Sequence, residues 1–444
     1  MDSAPLSMPS RWSGDALRAL VQPDRVHRDL YLDPGLFELE RERLFAGSWQ
    51  FAAHASQLPQ PGDYVTLELA GRSLLLLRQP DGSIRGFHNR CAHKGARLLS
   101  QPCGSTGRFL RCPYHAWSYK LDGSPLARPL QAGYEGTRLG ECESGRGLQE
   151  LADLRVYRDF VFVRLLPGGP DFEAWFGDAL RAIDDMVDRS PAGELRVEGG
   201  ILRSEIRCNW KAYLENVNDT VHPVSTHESA VRAARTVWQG HGDSEPQPMA
   251  VEQILPFGAG YDFYDGMGAR VLAHGHSVLG IHFSIHSGYG MSEDYRAALE
   301  VAHGPERARQ VLEHAPQNAV LYPGLALKSS PQVMRVIRPL AVDRTLVEAW
   351  VLRAVGAPDL LFERGLSYTR LVFSPMSVVA HDDIELFEGI QRALHADGNP
   401  WVSLHRDSRG DDAGLYGQPI NATNEVLMRN QHRAWLEAML GDAP

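Results

Sequence analysis

The sequence predicts an α+β fold: an all-β module near the N-terminus, inserted into or preceding a larger region in which one central antiparallel sheet is covered by helices. Three observations predict it. From Asp63 to about Leu166 the chain runs in short apolar or alternating segments, DYVTLELAG, RSLLLLRQ, SIRGFHN and FVFVRLL. The turn signals Ala70-Gly71, Asp81-Gly82 and Asp122-Gly123 separate them, as antiparallel strands require. Beyond residue 200, the β-like runs VLGIHFSI, VMRVIRPL, LVEAWVLRAV and YTRLVFSP mix with helical ones. The chain then closes on two helical patterns, HDDIELFEGIQRALH and TNEVLMRNQHRAWLEAML.

Taken in order, residues 1–32 are polar and irregular at first. Asp33 and Pro34 supply an N-cap and a first-turn proline for a helix running through Leu36, Phe37, Leu44 and Phe45. The β module occupies 47–166, and 1–46 with 167–444 forms the second domain. Phe172, Trp175, Phe176, Ala179, Leu180 and Ile183 recur at helical spacing and open that domain's main part. At 444 residues, 43% hydrophobic and 23% charged, the chain can bury two or three domains' worth of core.

The net charge of −10 argues against a nucleic-acid or anionic-membrane partner. No apolar run approaches the roughly 18–20 residues needed to span a bilayer. The opening MDSAPLSMPSRWSGD lacks a signal-peptide core, so a cytoplasmic location is expected. Five cysteines make no disulfide framework. Cys103, Cys142 and Cys208 are expected to be buried as small hydrophobes.

The other two cysteines each stand beside a histidine. RCAHKGA places Cys91 and His93 two apart, RCPYHAWSY places Cys112 and His115 three apart, and residues 94–111 separate the pairs. Two thiolates and two imidazoles can hold a tetrahedral zinc, but zinc sites usually keep both cysteines in one pair. One cysteine and one histidine in each loop suits a Rieske [2Fe–2S] centre, with two cysteines on one iron and two histidines on the other. Gly95 and Pro113 permit close backbone approach, and Trp117 is available to cover the cluster. Neutral imidazoles in place of thiolates raise the reduction potential.

The second cluster is NWKAYLENVNDTVHPVSTH. Read as one helix, Glu215, Asp219 and His222 share a face, so Asp219 can hydrogen-bond His222. His227 lies about 140° further round, and the imidazoles converge if Pro223 breaks the helix between them. A mononuclear Fe(2+) that handles O₂ needs two histidines and a carboxylate on one face. Asp382 and Asp383 offer the carboxylate, although at a helix start either also reads as an N-cap.

With these motifs, CAHKGA…CPYHAWSY and NWKAYLENVNDTVHPVSTH, the chain resembles the α subunits of Rieske non-haem iron ring-hydroxylating oxygenases, from about Leu30 to Met439. HDDIELFEGIQRAL and MRNQHRAW add to the likeness, while Val221 stands where many members carry an aromatic. The resemblance implies Cys91, His93, Cys112 and His115 as ligands of a [2Fe–2S] cluster, and His222, His227 and Asp383, rather than Asp382, as ligands of a mononuclear Fe(2+). It implies Asn216 near the iron, and Asp219 as a bridge from His222 to the His115 of a neighbouring subunit. It further implies a homotrimer, or an α3β3 assembly with small β subunits. Electrons would come from NAD(P)H through a separate reductase, with or without a ferredoxin; no Gly-x-Gly-x-x-Gly follows a strand here. Ring dihydroxylation of a small aromatic substrate with O₂ is the favoured reaction, and monohydroxylation or O-demethylation the close alternative. A Rieske electron carrier without oxygenase activity and a zinc-stabilised scaffold are rivals of other classes. Substrate contacts are expected between about Val251 and Phe373, where His282, His286 and Arg338 could contact an acidic substrate but read first as ordinary packing or surface residues.

Overall fold

Leu74, Leu75, Leu76 and Leu77 are all fully buried in the computed structural model, although a strand with one wet face would alternate. The strand Arg72–Arg78 is internal to an antiparallel sheet of order Ile84–His88, Arg72–Arg78, Asp63–Leu69, Cys103–Ser105, and is covered on both faces. Leu74 and Leu76 enter one core with Val161 and Val163; Leu75 and Leu77 enter another with Cys91, Cys112, Trp117 and Tyr119. Ala70 and Gly71, both at positive φ, make the two-residue hairpin that pairs Leu69 with Arg72. Two three-stranded sheets complete this unit. One is centred on Phe160–Arg164, and the other runs Phe109–Arg111, Ser118–Lys120, Pro125–Ala127.

The structure describes residues 12–242, 245–287, 289 and 291–441. The chain divides into one unit of Phe45–Gly169 and another of Met1–Leu44 with Pro170–Pro444. Of the irregular start expected over residues 1–32, residues 1–11 lie outside the described residues, and the rest is regular from the helix Gly14–Leu20 through the strand Arg25–His27 to the helix Asp29–Leu32.

The larger unit is built on a seven-stranded antiparallel sheet. Its order is Leu195–Ile206, Arg344–Ala354, Val333–Ala341, Leu325–Lys328, Asn318–Leu321, Ser277–Leu279, Ala269–Val271. The helices Val378–Ala393 and Val426–Leu440 form where the closing patterns predict them. Asp33 caps its helix through the Leu36 N–H at 2.9 Å, but the helix ends at Leu39 and continues as a π-turn, Glu40–Phe45. That turn delivers the buried Glu40 carboxylate to Trp210 Nε1, Trp435 Nε1 and Lys211 Nζ.

Several expectations are corrected. In VLGIHFSI only Val278 and Leu279 are strand, as the end of Ser277–Leu279: Gly280 turns the chain at φ +83°, where a Cβ would stand 2.7 Å from the Gln317 nitrogen. YTRLVFSP is no strand; it ends the helix Asp359–Tyr368 and forms a π-turn, Thr369–Phe373. Its aromatic and β-branched residues signal burial rather than extension, for Tyr368 and Val372 sit in a helical core. Cys208 is buried, but Cys103 is exposed on an edge strand and Cys142 is half-buried. Among the described residues no helix is long and apolar enough to cross a membrane.

Candidate metal centres

In the smaller unit, the two Cys–His loops have the same backbone plan. Cys91 N–H donates to Ala96 O (2.8 Å) and Gly95 N–H to Cys91 O (3.0 Å). Cys112 N–H donates to Trp117 O (2.8 Å) and Ala116 N–H to Cys112 O (3.1 Å). The residue four after each cysteine takes positive φ, Gly95 at +76° and Ala116 at +56°. Both thiols are buried, whereas His115 is exposed. The two imidazoles meet at 4.8 Å between centroids, and Trp117 stacks on His93 at 4.7 Å. The Tyr119 hydroxyl accepts from Ala92 N–H (3.1 Å) and lies 3.1 Å from Cys91 Sγ, to which it can donate once the sulfur is a thiolate. Burial pushes the Cys91 thiol up, with the Tyr119 hydrogen bond opposing. Burial, then His115, pushes His93 down and keeps it neutral. His93 Nδ1 is buried without a hydrogen-bond partner, as a nitrogen reserved for a ligand would be. Two buried sulfurs and two neighbouring imidazoles fit a [2Fe–2S] cluster.

In the larger unit, Asn209 caps the helix Trp210–Val217. The helix then stops: Asn318 Nδ2 donates to Val217 O (2.6 Å), Ser277 Oγ to Asn218 Oδ1 (3.0 Å) and Thr220 Oγ1 to Ala422 O (3.0 Å). The expected continuous helix is thus broken at 218–221, before His222 rather than between the histidines. The run Asn-Asp-Thr prefers such local bonds to helix. Pro223 sits in the first turn of a new short helix, His222–Thr226, where its missing N–H costs nothing. Glu215 does not share a face with Asp219. It accepts from Tyr31 Oη (2.6 Å) and meets His432 Nε2 (2.9 Å) instead.

Asp219 stands just ahead of the new helix. Its Oδ1 accepts from Val221 N–H (2.9 Å) and its Oδ2 from His222 N–H (3.1 Å), and Oδ2 also meets His222 Nδ1 at 3.0 Å. His222 Nε2 is thereby aimed away, to 3.8 Å from Asp383 Oδ1; His227 Nε2 is 3.5 Å from the same oxygen. One ligand atom from each of His222, His227 and Asp383 lies within 4.8 Å of the others. A cation with bonds of about 2.1 Å at right angles wants donors about 3 Å apart, so these two nitrogens and the carboxylate oxygen, at 3.5 and 3.8 Å, need only draw in slightly to hold one.

Neither Asp382 nor Asp383 is an N-cap; Ser377 holds that place, and both aspartates stand in the second turn of Val378–Ala393. Asp383 meets both Nε2 atoms, while Asp382 lies on the opposite side of His227, 3.7 Å from Nδ1. Asn216 Nδ2 is 3.1 Å from His222 Nε2 and donates to Asp383 Oδ1 at 3.3 Å. Burial raises Asp383 to about 6, against the pull of His222. Burial, then His222, lowers His227 to about 4. Burial works to raise Asp219, but the His222 and backbone hydrogen bonds outweigh it and hold the carboxyl low.

These side chains face a narrow cavity of about 50 Å³, so a ring-sized guest must displace side chains to enter. Lys328 and Arg335, which sequence reasoning missed, line it. Nothing marks them in ALKSS and VMRVI, where each reads as a polar position on a strand. Arg338 is held by Glu348 (3.1 Å), which Arg203 shares (2.7 Å).

The class of protein is given by comparison with known proteins. Residues 48–143 match the Rieske [2Fe-2S] domain, and 160–441 match the ring hydroxylating alpha subunit catalytic domain. The chain therefore belongs to the ring-hydroxylating oxygenase α-subunit family, whose domains carry a Rieske cluster and a mononuclear non-haem iron. It is 30% identical to the anthranilate 1,2-dioxygenase large subunit of Acinetobacter baylyi, over 94% of this chain and 89% of that one. It is 26% identical to the toluate 1,2-dioxygenase α subunit of Pseudomonas putida, over 96% and 94%. A naphthalene 1,2-dioxygenase from Rhodococcus sp. superposes with a TM-score of 0.75 at 25% identity, covering 95% of each chain. A quaternary ammonium Rieske monooxygenase shares the fold at 0.65 and 19%, covering 96% of this chain and 99% of that one.

Proposed function

We propose that this chain is the catalytic subunit of an aromatic-ring dioxygenase. An arene, O₂, NAD(P)H and a proton become a cis-dihydrodiol and NAD(P)⁺. The observation that carries this reading is the meeting of His222 Nε2, His227 Nε2 and Asp383 Oδ1 beside a cavity, in a chain that also holds the paired Cys–His loops. Cys91, Cys112, His93 and His115 hold the cluster; His222, His227 and Asp383 hold Fe(2+).

When bound, the cluster supplies electrons singly and the iron supplies the site at which O₂ reacts with substrate. The protein does the rest. Asp219 keeps the Nδ1 proton of His222 and so leaves Nε2 its lone pair. Burial keeps His227 neutral. The Asn216 amide steadies the Asp383 carboxylate. Phe257, Tyr264 and Phe373 wall the cavity with apolar surface that excludes water and suits the face of a ring.

The electron donor is a separate reductase, with or without a ferredoxin. Arg72, Arg90 and Lys94 line an open cleft beside Cys91 and His93, and suit an acidic donor. The working assembly is a trimer of this chain, with or without β subunits. There, Asp219 links His222 to the exposed His115 of a neighbouring copy.

Dioxygenation is favoured by relatives named anthranilate and toluate 1,2-dioxygenases. An N,N-dimethyl phenylurea N-demethylase α subunit, 26% identical, supports single-oxygen insertion as the second reading. A panel of arenes turned over with reductase and NADH under heavy-isotope O₂ decides between them. Two labelled oxygens in one product are expected; one supports the second reading; NADH oxidation with no label in any organic product sinks both.

A further inference from the structure

Several buried cations in this molecule are ion-paired with carboxylates. Lys211, 3% exposed, pairs with Glu40, and Arg429, 6% exposed, donates to both oxygens of Asp412. Arg189 is instead neutralised by no ion pair among the described residues and donates to the Val311 and His314 carbonyls, with Asp185 within electrostatic reach. Lys328 and Arg335 also depart from this pattern. They are 3% and 5% exposed, yet neither forms an ion pair among the described residues.

The sheet register explains why the two stand together. Lys328 pairs with Val333, and Arg335 with Ala326, so alternation puts both cations on one face of adjacent strands. That face lines the cavity onto which His222, His227 and Asp383 open. Lys328 Nζ donates to the Gln317 carbonyl, and Arg335 Nη2 donates to Asn318 Oδ1 at 2.7 Å. An ammonium has three donors and a guanidinium five, so both keep capacity for a guest. The Phe373 ring, 4.7 Å from the guanidinium carbon, fixes its plane. Asp383 lies within electrostatic reach of Arg335, but in the reading above its charge is committed to the iron. Burial, reinforced by Arg335, pushes the Lys328 ammonium well below its ordinary range. Two like charges in a dry cavity are costly to keep without an anion between them.

We propose that Lys328 and Arg335 form the subsite for a negatively charged substituent, and that the substrate is an aromatic carboxylate. The inference rests on the oxygenase reading of the adjacent triad and narrows its substrate. A planar carboxylate offers two oxygens, one for the fixed guanidinium and one for the mobile ammonium. The ring it carries then lies among the aromatic walls, towards the histidines.

The test uses the full-length, metal-loaded protein and two probes of nearly equal shape, benzoate and benzamide. Anaerobic titration calorimetry on the wild type should show benzoate binding at least about 10-fold tighter than benzamide, as expected for hydrogen bonds to charged groups. Lys328→Met and Arg335→Met should each lower benzoate affinity by about 10- to 100-fold, and by at least tenfold more than benzamide affinity. Lys328→Arg should recover part of the loss. A merely structural role would weaken both probes alike. Equal wild-type affinities, or equal losses in the variants, overturn the proposal; the wild-type ratio alone decides if a variant fails to fold. Discrimination between the probes with no oxygen incorporated into any arene would leave the anion subsite standing and sink the oxygenase reading instead.

Discussion

Asp219 serves three nitrogens with two oxygens: Val221 N–H, His222 N–H and His222 Nδ1. Asp219→Asn keeps one accepting oxygen and replaces the other with an amide that cannot accept. His222 then loses the anionic partner that fixes its tautomer. Turnover should fall by about 10- to 100-fold while iron content and the cluster's spectrum stay at wild-type levels. Unchanged turnover would refute the orienting role. Tyr119 has a comparable place at the other centre, since its hydroxyl is the donor within reach of a Cys91 thiolate, 3.1 Å from Sγ. A donor to a ligating sulfur stabilises the reduced cluster. Tyr119→Phe should therefore lower the cluster potential by roughly 60 mV, the one-electron equivalent of about 1.4 kcal/mol, read by redox titration of the cluster resonance. An equal or higher potential would contradict the geometry. The sequence exposes residues whose chemistry is rare at a given spacing, as with Cys91 and His93 or His222 and His227. Tyr119, Lys328 and Arg335 escape such reading because their importance comes from what the sheets lay beside them.

At the scale of elements, the helices are legible where capping and periodicity agree, as at Asp33 and over Val378–Ala393. They are not where tertiary bonds decide the ending. Helix Trp210–Val217 stops because Asn318, Ser277 and Ala422, all distant in sequence, take its backbone and side-chain partners. The turn Ala273–Gly275 and its neighbour His276 give another such tie. His276 Nδ1 accepts from Tyr322 N–H (2.8 Å), and Nε2 donates to Trp175 O (3.0 Å). Both nitrogens are thus committed in the neutral ring, and burial takes the pKa down to about 3. The unfolded chain takes up this proton below about pH 6.5. The native state refuses it until about pH 3. The stabilisation is therefore complete above pH 6.5 and declines as pH falls between those limits. Urea melts should show the wild type losing stability steeply from pH 7 to pH 5. His276→Gln should start lower at pH 7, by about 1–3 kcal/mol for a buried hydrogen bond left unmade, and then lose less on acidification. Parallel losses in both proteins would mean that another group titrates.

At the scale of the molecule, alternating runs and turn signals are enough to separate a β-rich unit from a mixed one, because strand period and helix period differ locally. The size and order of the seven-stranded sheet are not legible. Its partners lie as far apart in sequence as Leu195 and Ala354, and short strands such as Ser277–Leu279 look like any apolar run. Each unit has its own core: Leu75, Leu77, Trp117 and Tyr119 pack around the cysteines, and Phe257, Tyr264 and Tyr368 pack near the triad. Removing one metal's ligand should therefore leave the other's surroundings packed. His222→Ala deletes one of three donors and leaves His227 and Asp383, too few to hold Fe(2+) against water and chelators. The purified variant should carry about two irons per chain where the wild type carries about three, since a Rieske cluster accounts for two. Acid-labile sulfide and the rhombic cluster resonance should be unchanged, and arene oxidation abolished. Cys91→Ser should do the reverse, losing sulfide and visible colour while one ferrous ion per chain survives. If His222→Ala emptied both centres together, either the ligand sets would be misassigned or the units would not fold as separate cores.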